Sequence, residues 1–236
     1  MKTRKASAGN RGGRVAVDAP QPAGGFTAWL RRIRAAQLTN APMDVPCGSC
    51  NACCRSAQFI RIGPEETATL RRIPAALLVP APGLPGNVVM GYDKRGHCPM
   101  LIDDRCSIYA DRPQTCRSYD CRIFAAAGID AGGVAKAPIT ERARRWQFSY
   151  GGASARAEHQ AVRAAAAFLK EHRAAFPNGA PSDPAQIAMV AVKVYEVFVR
   201  GDGSGATVPD RPPREIAQAA IAAHEQFEAG RKPAER

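Results

Sequence analysis

The sequence contains few aromatic residues and no long apolar run. Tryptophan, tyrosine and phenylalanine together make up 6% of the 236 residues, and no stretch approaches the ~18 consecutive apolar residues that a membrane-spanning helix needs. Apolar residues reach 45% of the chain, but much of that share is alanine. Segments that are rich in alanine and poor in aromatics favour small helices over large sandwiches. We therefore expect no membrane span and no all-β fold.

The N-terminal residues lack the pattern of a secretory signal. Residues 1–14 are basic and no apolar segment follows them, whereas a signal peptide needs an apolar region behind its basic start. We therefore expect a cytoplasmic protein. In a reducing cytosol, the eight cysteines are expected to be metal ligands or redox groups instead of structural disulfides.

The formal net charge of +12 is concentrated near the N-terminus. Residues 1–34 carry a net +7, whereas residues 45–126, which contain every cysteine, carry +3. A basic tail can bind phosphates through counterion release, but no aromatic residue is interleaved with the charges as a reader of single strands would need. The glycine and proline content predicts that residues 1–25 form a disordered basic tail. Nucleic acid is therefore not an expected partner.

The rest of the chain divides by composition into three segments. Residues 26–44 contain a predicted helix, from Phe26 to Leu38 by its apolar spacing, and a linker. Residues 45–126 form the predicted cysteine-cluster domain. Within it we predict strands over 56–62 and 88–92, a helix that starts at 63–66, and a proline-rich loop over 73–85.

Residues 127–236 are predicted to form a helical extension. Helix-start signals and apolar periodicity define about three helices, over 153–175, 184–200 and 213–229. Each has one apolar face, which we expect to pack against the cysteine domain or to bind a partner protein. The predicted fold class is therefore α+β: a small irregular domain with short strands, organised by cysteines and metal, followed by these helices.

The eight cysteines fall into two groups, separated by a gap of 43 residues. The members are Cys47, Cys50, Cys53 and Cys54 in the first group and Cys98, Cys106, Cys116 and Cys121 in the second. A Cys-x-x-Cys turn lets two thiolates converge on one metal ion, and Gly48 suits such a turn. Successive spacings of three residues also occur in the loops by which bacterial ferredoxins hold iron–sulfur clusters. The spacing predicts metal binding but does not choose between zinc, iron and an iron–sulfur cluster.

The adjacent pair Cys53 and Cys54 constrains how the thiols can be shared. Neighbouring side chains diverge in most backbone conformations, so the two rarely bind one ion together. One of them could bind a second metal, bridge two metals, or stay free and reactive. The eight thiols thus permit two four-sulfur sites, or one such site and four spare thiols. Arg112 and Arg117 lie close to cysteines in sequence and could donate hydrogen bonds to sulfur; the alternative is that they are ordinary surface arginines.

Other residues carry weaker signals. His97 precedes Cys98 and could replace a thiolate, although an exposed turn is the preferred interpretation. The remaining histidines, including His159, lie on predicted helices and are expected to contact solvent. Trp29 and Trp146 are expected to be packing anchors.

The order of the cysteine motifs resembles a known family. The segment CGSCNACC at 47–54 is followed by CPML at 98–101, CSIY at 106–109, an Arg-Pro pair at 112–113 and Cys-Arg at 116–117. Together they resemble the YkgJ-type CxxCxxCC cysteine-cluster family, which is described as chelating zinc or iron. The resemblance covers about residues 45–126 and implies that all eight cysteines are ligands. The chain departs from the family at Asp120, where the family commonly has proline.

Three function classes follow from these observations. The leading hypothesis is a cytoplasmic protein that chelates zinc or iron, including the case of an iron–sulfur cluster, through clustered cysteine thiolates. The second is a redox or methyltransferase-like enzyme that uses the cluster, since flagellin lysine methylases contain a related one. The third is a basic-tailed adaptor for nucleic acid or protein with a structural zinc site. No catalytic residue is assigned.

Overall fold

The computed structural model describes residues 19–43, 45, 47–200 and 205–231. It has an α+β fold with 51% helix and 12% strand, in which the strands are short and several helices lie in the C-terminal half. This confirms the predicted fold class. None of the described helices is both long and apolar enough to cross a membrane. Residues 1–18 of the predicted tail lie outside the described residues.

The described residues form α-helices and short β-strands along the chain. The helices are α1 (Phe26–Thr39), α2 (Thr67–Arg72), α3 (Gln114–Ser118), α4 (Arg122–Ala127), α5 (Ala137–Arg144), α6 (Ala153–Glu171), α7 (Pro184–Val194) and α8 (Pro213–Ala229). The strands are β1 (Gln21–Gly25), β2 (Ile60–Ile62), β3 (Leu78–Pro80), β4 (Val88–Met90), β5 (Leu101–Ile102), β6 (Arg105–Cys106) and β7 (Trp146–Ser149). The predicted α1 and the three long C-terminal helices are all present.

Strand β1 corrects the predicted extent of the disordered tail. The sequence predicts disorder up to residue 25, whereas Gln21–Gly25 pair in parallel with β7, with Gln21 opposite Trp146. Ala23 in the middle of the strand is buried. The partners lie far apart in sequence, so the local glycine and proline content could not indicate the pairing.

A three-stranded antiparallel sheet has the order β2-β4-β3. Its strands β2 and β4 lie within the predicted strand segments, and α2 begins at Thr67, just after the predicted helix start. The predicted loop over 73–85 is wrong at β3, which pairs with the central strand β4. Pro80 is compatible with this because it ends an edge strand, where a missing N–H costs little.

The helices enclose the larger of two hydrophobic cores. Within the described residues, 32 buried residues form this cluster, and α6 contacts α7, α4 and α1. Alanines on α6, such as Ala161 and Ala165, are fully buried and let the neighbouring helices approach closely. Helix α4 belongs to the predicted cysteine domain but packs on α6 and α7, so that domain and the helical extension share one core.

The smaller core lies beneath the three-stranded sheet and the β5–β6 hairpin. Five buried side chains form it: Ile62, Ile73, Met90, Met100 and Ile108. The hairpin turn is made by two aspartates with positive φ, Asp103 at 47° and Asp104 at 60°, which aspartate tolerates better than most residues. The turn places Cys106 opposite Leu101, at the edge of this core.

Candidate metal centre

All eight cysteines line a single cavity of about 960 Å³. It lies where the two hydrophobic cores meet, because Cys53 and Cys121 pack against the large core while Cys98 and Cys106 pack against the small one. Every cysteine is a free thiol, and only Cys121 is fully buried. The structure therefore brings together the two groups that the sequence separates by 43 residues.

The first cysteine group is shaped by two tight turns. The N–H of Cys50 donates to the carbonyl of Cys47 at 2.9 Å, and Gly48 between them has a positive φ of 55°. That conformation is strained for most other residues, so glycine fits the turn. A 3-10 turn then spans Cys53–Arg55. Both turns hold their thiols at the cavity wall.

The second group begins at the hairpin and is linked directly to the first. The N–H of Cys98 donates to the carbonyl of Cys54 at 2.7 Å. A hydrogen bond from the Cys54 thiol lowers the pKa of Cys98 to about 7, and the backbone amides of Met100 and Leu101 add to this effect. The amide of Ile108 likewise donates to the sulfur of Cys106. Backbone N–H groups aimed at sulfur stabilise thiolates, which are the form that binds metal.

Cys121 is held in place by the indole of Trp146. Cys121 occupies the N-cap position of α4. The indole nitrogen of Trp146, Nε1, donates a hydrogen bond to Cys121 Sγ at 3.2 Å. Burial raises the pKa of this thiol to about 12, whereas the indole hydrogen bond lowers it. The sequence predicted only a packing role for Trp146, because nothing in the local pattern relates residues 121 and 146.

A buried ion pair lies next to Cys121. It includes Asp120, the residue at which the sequence departs from the family pattern. Asp120 and Arg122 form it at 2.8 Å, with side chains 0% and 7% exposed. Trp29 Nε1 donates to Asp120 Oδ2 at 2.9 Å, and Arg122 reaches the carbonyl of Ala23 in β1 at 3.2 Å. This network fixes the backbone on both sides of Cys121. In the sequence, only the unusual residue at position 120 pointed to this hydrogen-bond network.

The two arginines proposed as sulfur donors differ in their surroundings. Arg112 lines the cavity with its Cζ 4.0 Å from the centre of the Tyr109 ring. Burial raises the pKa of Cys116 to about 12, and the charge of Arg112 opposes this rise. Arg117 also lines the cavity, but its guanidinium donates to Gln114 Oε1 at 3.1 Å and lies 3.8 Å from Glu66. A contribution to the thiols is thus better supported for Arg112, and both roles stay predictions.

The sequence analysis missed a further arginine, Arg142, that lines the cavity. Arg142 is buried and its Cζ lies 4.4 Å from the centre of the Trp146 ring. The pKa of Cys47 is raised by burial and by Cys50, and lowered by Arg142. Arg142 lies on α5, 21 residues after the last cysteine in the sequence, so sequence spacing gave no reason to select it.

The histidines take no direct part in the cavity. His97 does not belong to the described residues that line it, and its amide donates to Asp93 Oδ1 at 2.9 Å. The sequence analysis expected His159 to contact solvent, whereas the structure shows it partly buried. Its ring stacks on Phe26 with centroids 4.3 Å apart, and its Nδ1 lies 2.7 Å from the Tyr150 hydroxyl.

The donor set fits a thiophilic metal. Thiolate sulfur is a preferred ligand of zinc and of iron in iron–sulfur clusters. Within the described part of the chain, no three Cys, His, Asp or Glu side chains already converge closely enough to hold one ion. Binding therefore requires the thiols to turn inward and lose their protons, which their exposure to one shared cavity permits.

Comparison with known proteins gives one match. Residues 46–131 match the family model CxxCxxCC, whose description is "putative zinc- or iron-chelating domain". No curated protein and no solved structure matches the chain. The matched range includes all eight cysteines as well as Asp120 and Arg122. The similarity to this family thus covers residues 46–131, about a third of the chain.

Proposed function

We propose that the protein binds zinc or iron through the cysteine thiolates of its CxxCxxCC domain. The observation that carries this proposal is the convergence of all eight free thiols on one cavity. Backbone amides and an indole N–H donate to three of those sulfurs, as expected for groups that become thiolates. A set of unrelated buried cysteines would not share a cavity.

A location in the cytoplasm fits the proposed use of the thiols as metal ligands. Disulfides persist in oxidising compartments, whereas glutathione and thioredoxin keep cytosolic thiols reduced. All eight cysteines are free, and metal ligands must remain so. The protein is therefore proposed to act as a cytoplasmic metalloprotein.

The apolar faces of the C-terminal helices are used within the chain. Ile187 and Val192 on α7 and Ile216 on α8 are buried in the large core. The predicted use of these faces to pack on the cysteine domain is the better supported of the two alternatives, and a partner protein is not needed to cover them.

Metal content in the purified protein tests the proposal. The full chain is purified without oxygen, and its zinc and iron are counted by elemental analysis alongside a visible absorption spectrum. Stoichiometric zinc in a colourless protein would indicate closed thiolate sites, whereas iron, sulfide and broad visible absorption would indicate a cluster. A folded protein that holds neither metal, and that takes up neither after reduction and reconstitution, would overturn the proposal.

A further inference from the structure

We propose that the eight cysteines form two separate four-thiolate metal sites that meet at the peptide bond between Cys53 and Cys54. The inner site consists of Cys47, Cys50, Cys53 and Cys121. The hairpin site consists of Cys54, Cys98, Cys106 and Cys116. This inference rests on the proposed function, since it specifies how the thiols divide between ions.

The two cores divide four of the cysteines in this way. Cys121 belongs to the large core, and Cys53 packs against it. Cys98 and Cys106 pack against the small core. The cavity thus has two walls of different origin, and thiols on the same wall are the ones that can converge on one ion with small side-chain movements.

Turn and helix positions extend the same division to cysteines outside the two cores. Cys47 and Cys50 close one tight turn, in which the N–H of Cys50 donates to the carbonyl of Cys47 at 2.9 Å, and Cys53 follows three residues later. Cys116 lies on α3, which contacts β2, and β2 contributes Ile62 to the small core.

Direct contacts assign Cys54 to the hairpin site. Its carbonyl accepts the N–H of Cys98 at 2.7 Å, and its thiol donates to the Cys98 sulfur. Cys53, one residue earlier on the same 3-10 turn, packs on the large core. Successive residues of a helical turn point about 100–120° apart, which directs the two thiols to different ions.

A buried or stacked arginine is available to each site. Four thiolates around a divalent ion leave a net charge of about −2, which needs compensation in a partly buried cavity. Arg142 lines the cavity and stacks on the ring of Trp146, whose indole N–H donates to Cys121 Sγ in the inner site. Arg112 also lines the cavity, stacked on Tyr109, and lies between Cys106 and Cys116 of the hairpin site in the sequence.

Two pairs of double variants that remove the same four thiols test the division. In C47S/C50S and in C98S/C106S, both substitutions fall within one site. In C47S/C98S and in C50S/C106S, each site loses one thiol. Metal-stripped full-length chains are reconstituted with Zn²⁺, exposed to a competing chelator, and analysed for retained zinc and for helix content by circular dichroism.

We expect the unsubstituted chain to retain two zinc ions per chain, and each within-site variant to retain one at unchanged affinity. The across-site variants should retain no zinc at that affinity, because both sites are then incomplete. Equal retention in all four variants, or more than two tightly held ions in the unsubstituted chain, would overturn the division. An unsubstituted chain that retains neither zinc nor, in a parallel reconstitution, iron would instead refute the proposed function.

Alkylation of the unsubstituted chain provides a second measurement that needs no variants. Zinc is withdrawn stepwise by a chelator while the cysteines that become reactive to N-ethylmaleimide are identified by mass spectrometry. The four cysteines of one site should gain reactivity together, with Cys53 and Cys54 in different groups. Simultaneous exposure of Cys53 and Cys54 ahead of their assigned partners would contradict the inference even if a variant failed to fold.

Discussion

Replacement of Asp120 by asparagine should destabilise the protein more than any exposed charge change. The substitution keeps the size of the side chain and an acceptor for Trp29 but removes the negative charge beside Arg122. Both members of this pair are buried, with side chains 0% and 7% exposed. A buried guanidinium that loses its counterion retains its desolvation cost without the compensating attraction.

The expected magnitude follows from that burial. Breaking a buried ion pair by removing one partner costs ~3–5 kcal/mol, and 1 kcal/mol lowers Tm by ~2–4 °C in a chain of this size. We therefore expect D120N to lower Tm by ~6–20 °C. Thermal and urea unfolding followed by circular dichroism measure both quantities, with the metal content of the two proteins matched.

The chain offers a matched control in a second ion pair. Arg144 and Asp130 also lie 2.8 Å apart, but their side chains are 67% and 55% exposed. Because exposed pairs contribute about 0–1 kcal/mol, D130N should leave the unfolding free energy nearly unchanged. If D120N and D130N destabilise the protein equally, burial of the Asp120 pair is not what determines its contribution, and the reasoning is refuted.

Three further predictions concern the metal site and pH. W146F removes the N–H donor to the Cys121 sulfur and should weaken zinc binding by roughly tenfold or more in chelator competition. W29F removes an indole N–H that donates to Asp120 instead, and it should weaken zinc binding less. Equal losses in the two variants would contradict a specific effect of Trp146. Burial raises the pKa of Cys53, so zinc binding must displace protons and should weaken steadily on acidification; a pH-independent affinity would exclude thiolate ligands. Burial lowers the pKa of His159, so the folded protein resists protonation of this ring. The unfolding free energy of the metal-free protein should therefore fall as the pH drops below ~6.5. The unfolding free energy of H159Q should depend less on pH over that range.

Elements with local signals could be predicted from the sequence. Helix α7 starts where Pro184 follows Asp183, whose Oδ1 accepts the N–H of Gln186 at 3.0 Å, and this capping pattern is legible in the sequence. The cysteine spacing likewise predicted a tight turn at Gly48. In both cases the residues that interact are only a few positions apart in the sequence.

Interactions between distant segments could not be predicted. The pairing of β1 with β7, the hydrogen bond from Trp146 to Cys121, and the contact of Trp29 with Asp120 each join residues 25 or more positions apart. A single sequence holds no periodicity or spacing that relates such partners. The same limit applies to the cavity: the sequence indicated that adjacent thiols diverge, but only the two cores show the direction each one takes.

The position of the cysteines implies that bound metal would stabilise the fold. Among the described residues the small core has only five buried side chains, against 32 in the large one, and so small a cluster seldom supports a fold alone. Metal binding contributes free energy directly to folding when the unfolded chain holds no preformed site. In the proposed arrangement the hairpin site would reinforce the small core, and the inner site would fasten the first cysteine loop to α4. Because Cys53 and Cys54 are neighbours on one short turn, the two sites would connect the cores through a single peptide bond.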